Sequence, residues 1–177
     1  MGHHLSSILR NDLNIPMSDI SLALFIALET CPEPPYYPIA AAWSLPDGSI
    51  KSSFILADDS WPPHLCYSDY LSDDTITAMG HSVKDVLLEM NDDLDACHVV
   101  GHNDFSPATG LEHLVEALDI ELSFELSTTH QDTSELLGED WRDELQDLAH
   151  ETGHDLMQAE DQVRLMQMCW ARRNDHF

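Results

Sequence analysis

Seven consecutive apolar residues, Leu22-Ala23-Leu24-Phe25-Ile26-Ala27-Leu28, run directly into an acid, Glu29. A run of this length and composition reads as a buried strand. No apolar run in the chain is long enough to span a bilayer. On a strand, residues two apart share a face, so Ala27 and Glu29 point to the same side. The layer that packs there must meet a methyl group and then a carboxylate.

The following segments give this strand its neighbours. Cys31-Pro32-Glu33-Pro34-Pro35-Tyr36-Tyr37-Pro38 is a rigid, extended loop. Ile39 to Leu45 is a second apolar run, Pro46-Asp47-Gly48-Ser49 is a hairpin turn signal, and Ile50 to Ala57 is a third strand. The chain therefore opens as an antiparallel meander. The period then changes. After a loop over 58–70 that carries Trp61-Pro62-Pro63, Ser82-Val83-Lys84-Asp85 has the form of a capping box. It opens a helix with Val83, Val86, Leu87, Met90 and Leu94 on one face. His98 to Gly101 reads as a short strand. Ser106-Pro107 is an N-cap with Pro at the first helical position, and the helix it opens buries Leu111, Leu114, Val115 and Leu118. Ile120 to Leu126 is a further strand. Trp141 to Thr152 is a helix stopped by Gly153, and a last helix runs from about Met157 to Arg172. Strands first, then alternating helix and strand, predict an α/β fold: a five-stranded mixed sheet, three strands antiparallel and the others parallel, flanked by helices. A chain of 177 residues with 43% hydrophobic residues can bury a substantial core. We read a polar N-terminal arm over 1–20 and a single domain over 21–173.

Charge limits the partners. There are 33 acidic residues against 7 basic ones, a net charge of −26, and Lys51 and Lys84 are the only lysines. Nucleic-acid binding normally rests on Lys and Arg neutralising phosphates, and this surface repels a polyanion at long range. Three readings of the acidity remain: a solvated, salt-adapted surface, a surface for a basic protein partner, or mimicry of a nucleic acid's charge. The acids are spread along the whole chain, which favours the first. Cys31, Cys66, Cys97 and Cys169 are scattered, and no pair has zinc-ligand spacing. Met1-Gly2-His3-His4-Leu5 lacks the basic and apolar regions of a signal peptide. Reduced thiols and a cytoplasmic location are expected, with no membrane association.

The order and spacing of four segments resemble a known family. Phe25-Ile26-Ala27-Leu28-Glu29-Thr30 is similar to the first motif of the DEDD-type 3′–5′ exonucleases, which have the ribonuclease H-like fold. Tyr37-Pro38-Ile39, followed by Trp43, Pro46-Asp47-Gly48 and Trp61, resembles the second and third strands of one bacterial branch. Val99-Val100-Gly101-His102-Asn103 resembles the lead-in to the second motif, and Gln158-Ala159-Glu160-Asp161 the last helix. The resemblance covers roughly residues 20–172. It implies four carboxylates on two metal ions about 3.5–4 Å apart and a His as general base. Carried over residue by residue, the first Asp is replaced by Ala27 and the Glu is Glu29. The second-motif Asp falls at Ser106 or Pro107, with Asp104 close by but out of register. The general-base His falls at Leu156, and the last Asp is Asp161. The resemblance thus implies a degenerate site in which Ala27, Ser106 and Leu156 are lost positions and Glu29, Asp104 and Asp161 are what remains. Glu29 and Asp161 are the residual metal ligands, if any. Too few oxygens are left for two hard cations.

A rival motif is His150-Glu151-Thr152-Gly153-His154, a literal H-E-x-x-H. On a helix, His at i and i+4 can bind zinc while the Glu activates water, and Glu160 could be offered as a third ligand. Against this, Gly153 fits a helix stop. His98, His102 and His113 are scattered candidates for a metal. Trp61, Tyr67 and Tyr70 could stack on bases or pack a loop. Met166, Met168 and Trp170 read as core residues of the last helix. The expectation is an exonuclease-like domain with a degenerate site and no cofactor, acting through binding, with a basic protein as partner and nucleic acid disfavoured by charge. The alternatives are a metal-dependent exonuclease that uses Mg or Mn on short oligonucleotides and a zinc peptidase built on His150, Glu151 and His154. The oligomeric state is not legible.

Overall fold

The computed structural model describes residues 22–62, 73–102 and 107–174. The expected arm over 1–20, Asp104, Ser106, Cys66, Tyr67 and Tyr70 lie outside the described residues. Five strands form one mixed sheet: β1 (Leu24–Thr30), β2 (Pro38–Ser44), β3 (Ile50–Phe54), β4 (His98–Gly101) and β5 (Glu125–Ser127), in the order β3-β2-β1-β4-β5. β1, β2 and β3 pair antiparallel, while β4 lies parallel to β1 and β5 parallel to β4. This is the α/β architecture read from the sequence.

Six helices are described: α1 (Asp73–Met79), α2 (Val83–Leu94), α3 (Pro107–Leu118), α4 (His130–Leu137), α5 (Trp141–Thr152) and α6 (Ala159–Arg173). The cap at α2 forms as its sequence requires: the Ser82 hydroxyl accepts from the Asp85 N–H, and the buried face is Val83, Val86, Leu87, Met90 and Leu94. Two of these helices were not expected. α1 follows a segment that reads as loop. α4 begins at Thr129, whose hydroxyl accepts from the Asp132 N–H; that Thr-x-x-Asp spacing is the signal that could have found it.

Two strands are shorter than their patterns suggest. β3 ends at Phe54 rather than Ala57, because the next backbone groups turn to His81. The His81 N–H donates to Phe54 O, the Leu56 N–H donates to His81 O, and Ile55 makes an isolated parallel bridge with His81. The apolar segment from Ile120 forms a strand only at Glu125–Ser127. Asn91 on α2 holds the residues before it as a loop: its side chain donates to Glu121 O and accepts from the Ser123 N–H, and its carbonyl accepts from the Ser123 hydroxyl.

Alternation along β1 divides the core. Leu24, Ile26 and Leu28 join Ile39, Ala41, Trp43 and the apolar faces of α2 and α3. Phe25 and Ala27 join Ala42, Val100 and the apolar faces of α5 and α6. α3 approaches β1 closely at Gly110, where a Cβ would lie 2.7 Å from Leu28 Cδ2. Glu29 continues the face of Phe25 and Ala27. In this way the central strand carries an acid into the layer formed by α6.

The mouth of the β1–β2 pair is closed by a side chain. The fully buried Ser44 accepts a hydrogen bond from the Phe25 N–H through Oγ at 2.8 Å. Ser44→Ala leaves that N–H without its partner in the interior, and a loss of about 1–3 kcal/mol is expected in urea denaturation. A loss below about 0.5 kcal/mol, within the range of an ordinary surface change, would mean that the strand end closes without the hydroxyl.

Candidate functional site

β4 pairs with β1 only as far as Ile26, opposite Gly101. The last residues of β1 therefore extend past β4, at the C-terminal end of the parallel strands, where open α/β sheets form their crevices. Glu29 lies there, opposite Ala40, and the β1–β2 register shifts immediately after it so that Thr30 faces Pro38. The side chain is 9% exposed, and its Oε1 has no hydrogen-bond partner. Burial, then repulsion from Asp155, pushes its pKa up to about 7. Glu29 borders a cleft of about 330 Å³ between β2, β3, the start of α6 and the segment from Met79 to His81. Gln158, Ala159 and Glu160 form its α6 side.

Asp161, the other carboxylate to which the resemblance points, has a different task. Its Oδ2 accepts the Asp155 N–H at 2.8 Å, and its Oδ1 lies 3.2 Å from Arg164 Nη1 and 3.4 Å from His154 Nδ1. It fastens the turn into α6. Within that turn the Asp155 carboxylate accepts the Met157 N–H at 2.8 Å, a local bond typical of Asp before a helix. Two of the positions where the resemblance calls for a ligand or a base lie in the described residues, and both are packed. Ala27 is 2% exposed in the apolar cluster that includes Ala159 and Val163, and Leu156 packs against the same cluster. Asp104 and Ser106 lie outside the described residues, and Pro107 begins α3.

Among the described residues, Glu29 and Asp161 by themselves do not fit a pair of hard cations. Such ions need several oxygens converging at fixed spacing. Glu29 offers one unengaged buried oxygen, while Asp161 is tied to a backbone amide, Arg164 and His154. Among the described residues, no three His, Cys, Asp or Glu side chains are grouped so that they could hold a metal ion.

The H-E-x-x-H segment does not form the helical zinc motif. α5 ends at Thr152, and Gly153 adopts φ 78° as the left-handed cap, its N–H donating to Ala149 O. His154 therefore lies beyond the helix and is not one turn along from His150. Its ring faces Asp161, the Glu151 carboxylate is 2.9 Å from Arg172 Nη2, and Glu160 meets the Ser52 hydroxyl at 3.4 Å. The physical reason is the glycine, which closes the turn that the motif needs to continue.

The scattered candidates are each engaged elsewhere. His98 faces Glu125, and the buried His102 sits edge-on to Trp141. His113 Nε2 lies 2.6 Å from Pro35 O and its ring packs on Tyr37. Trp61 is buried and stacks on Tyr37, so it fixes the proline-rich loop rather than offering a face to a base. Met166 is core, with Met168 and Trp170 packed against it. The sequence reading missed His81, which lines the cleft, and Asp155, whose charge acts on Glu29 from the turn before α6. No local pattern announces a contact of that range.

The raised pKa of Glu29 has a consequence for stability. In the unfolded chain this carboxyl titrates near 4.5, and in the folded protein near 7. The folded state holds the proton more tightly, so stability is complete below the lower value and declines as pH rises through the upper one. The loss amounts to about 3 kcal/mol. Glu29→Gln removes the titration at nearly constant volume. Urea denaturation from pH 4 to pH 8 is expected to show the variant gaining on the native protein by about that amount, whereas parallel curves would mean that Glu29 titrates normally. No protein-family model and no curated protein matches the chain.

Proposed function

We propose that this domain is a ribonuclease H-like relative of the DEDD 3′–5′ exonucleases that does not cleave nucleic acid and works by binding a basic protein. The reading rests above all on Ala27 and Leu156. At the places where the resemblance calls for a metal ligand and a general base, both are apolar and belong to one packed cluster with α6. A point loss at Ala27 alone would leave a hole for water or a rescuing neighbour, whereas two apolar replacements on one side of β1 make a continuous core. The engagement of Asp161 in the turn before α6 supports the same reading.

The net charge of −26 supports a basic partner and opposes a nucleic acid. No helix among the described residues is long and apolar enough to cross a membrane. The free thiols at Cys97 and Cys169 fit a reducing compartment, and we place the protein in the cytoplasm.

The test is incubation with a short end-labelled oligonucleotide and Mg²⁺ or Mn²⁺, alongside calorimetry with each ion. No shortening of the strand and no heat of binding are expected. Shortening that Glu29→Gln abolishes would overturn the reading in favour of an active exonuclease with a reduced site. Ala27→Asp, which restores the carboxylate, is expected to lower stability by several kcal/mol without creating activity, because the new charge has no counter-ion in the packed cluster. A folded Ala27→Asp protein that gains Mn²⁺-dependent cleavage would mean that the site is intact except for that one ligand.

A further inference from the structure

Glu29 is nine-tenths buried, its Oε1 has no partner, and it borders an open cleft. A buried carboxylate in this state is costly, and it favours any donor that can reach it. Among the described residues no cation supplies one: no Lys or Arg lines the cleft, and Arg164 comes no closer to Glu160 than 4.0 Å. Glu160 adds a second carboxylate at the rim, and Asp155 adds repulsion from the turn behind. The amino end of α6 contributes partial positive charge, but Glu160 and Asp161 in its first turn offset it. An anion is therefore disfavoured on charge, and among the described residues no three His, Cys, Asp or Glu side chains are grouped to hold a metal ion. The remaining class is an organic cation with several N–H donors.

The walls narrow that class. Phe54 and the exposed Met79 give the cleft an apolar side, while Ser52 and Gln158 give it hydroxyl and amide groups. Its volume of about 330 Å³ is at the small end for ligand sites, suited to one side chain. A guanidinium is planar, weakly hydrated and able to donate to two carboxylates at once, whereas an ammonium is compact and strongly hydrated. The hydrocarbon stem of an arginine would lie along Met79 and Phe54.

We propose that this cleft receives an arginine side chain of a basic polypeptide, with the guanidinium between Glu29 and Glu160. This rests on the binding reading above and names the group recognised. The acidic surface steers such a partner from a distance, and the cleft supplies the specific contact. Binding also competes with a proton at Glu29. The other titratable groups that line the cleft are Glu160 on α6 and His81 before α2, and Asp155 before α6 acts on Glu29 by its charge, while β2 and β3 offer only apolar side chains and serines. Affinity accordingly rises with pH as Glu29 ionises.

The experiment is calorimetric titration of the full chain with a glycine-serine peptide carrying several arginines, and with the same peptide carrying lysines, at physiological salt. The arginine peptide is expected to bind about tenfold more tightly than its lysine counterpart. Affinity should rise between pH 6 and pH 8. Glu29→Gln should weaken binding about tenfold and remove the pH dependence. Glu160→Gln, at an exposed position where folding is not at risk, should weaken binding independently. Glu116→Gln on α3, away from the cleft, should leave it unchanged. Equal losses from Glu116→Gln and Glu29→Gln would overturn the inference, because the acidic surface at large would then be responsible, and the binding reading would survive. Equal affinity for the two peptides, or no binding of either, would also overturn it. Failure of the underlying reading has a separate signature, Glu29-dependent shortening of the labelled oligonucleotide.

Discussion

β1 hydrogen-bonds to β2 on one side and to β4 on the other, and it is buried on both faces. Every other layer is placed by this arrangement. Ile26 and Leu28 fix α2 and α3 on one side, and Phe25 and Ala27 fix α5 and α6 on the other. A strand so enclosed has no polar position until it outruns a neighbour. β4 stops pairing at Ile26, three residues before Glu29. The acid therefore stands at the first place where the central strand can face a crevice while still lying under α6.

That placement explains why Glu29 and Asp161 differ although both carry carboxylates. Asp161 is in the first turn of α6, where backbone N–H groups and Arg164 are at hand, and its oxygens are fully engaged. Glu29 lies on a strand whose amides already serve the ladder, so no local donor is available. Burial then acts almost unopposed and raises its pKa.

Much of the fold was legible because it depends on local rules. The face of α2 was readable from its period and its serine cap, the meander from a turn signal between apolar runs, and the end of α5 from Gly153. The failures came where a distant contact overrode the local pattern. β3 is cut short by His81, and the residues before β5 are held as a loop by Asn91. The candidate site divides in the same way. Glu29 could be identified because it stands where the resemblance calls for a carboxylate, and strand alternation put it on the face of Ala27. The neighbours that define its environment, Asp155 and His81, come from loops distant in sequence.

The apolar residues at 27 and 156 and the pKa of Glu29 are physically linked. A carboxylate at position 27 would share a face with Glu29, and the mutual repulsion would demand a strong counter-charge. An alanine there brings no such repulsion, and it lets α6 pack down on β1 beside the acid. An uncharged residue at 27 thereby goes with greater desolvation of Glu29. What results is a single carboxyl that titrates near 7 and whose Oε1 has no hydrogen-bond partner. Such a group is poorly suited to hold two dications and well suited to respond to one approaching monocation, because the cation and the proton compete for the same oxygens within the ordinary range of cellular pH.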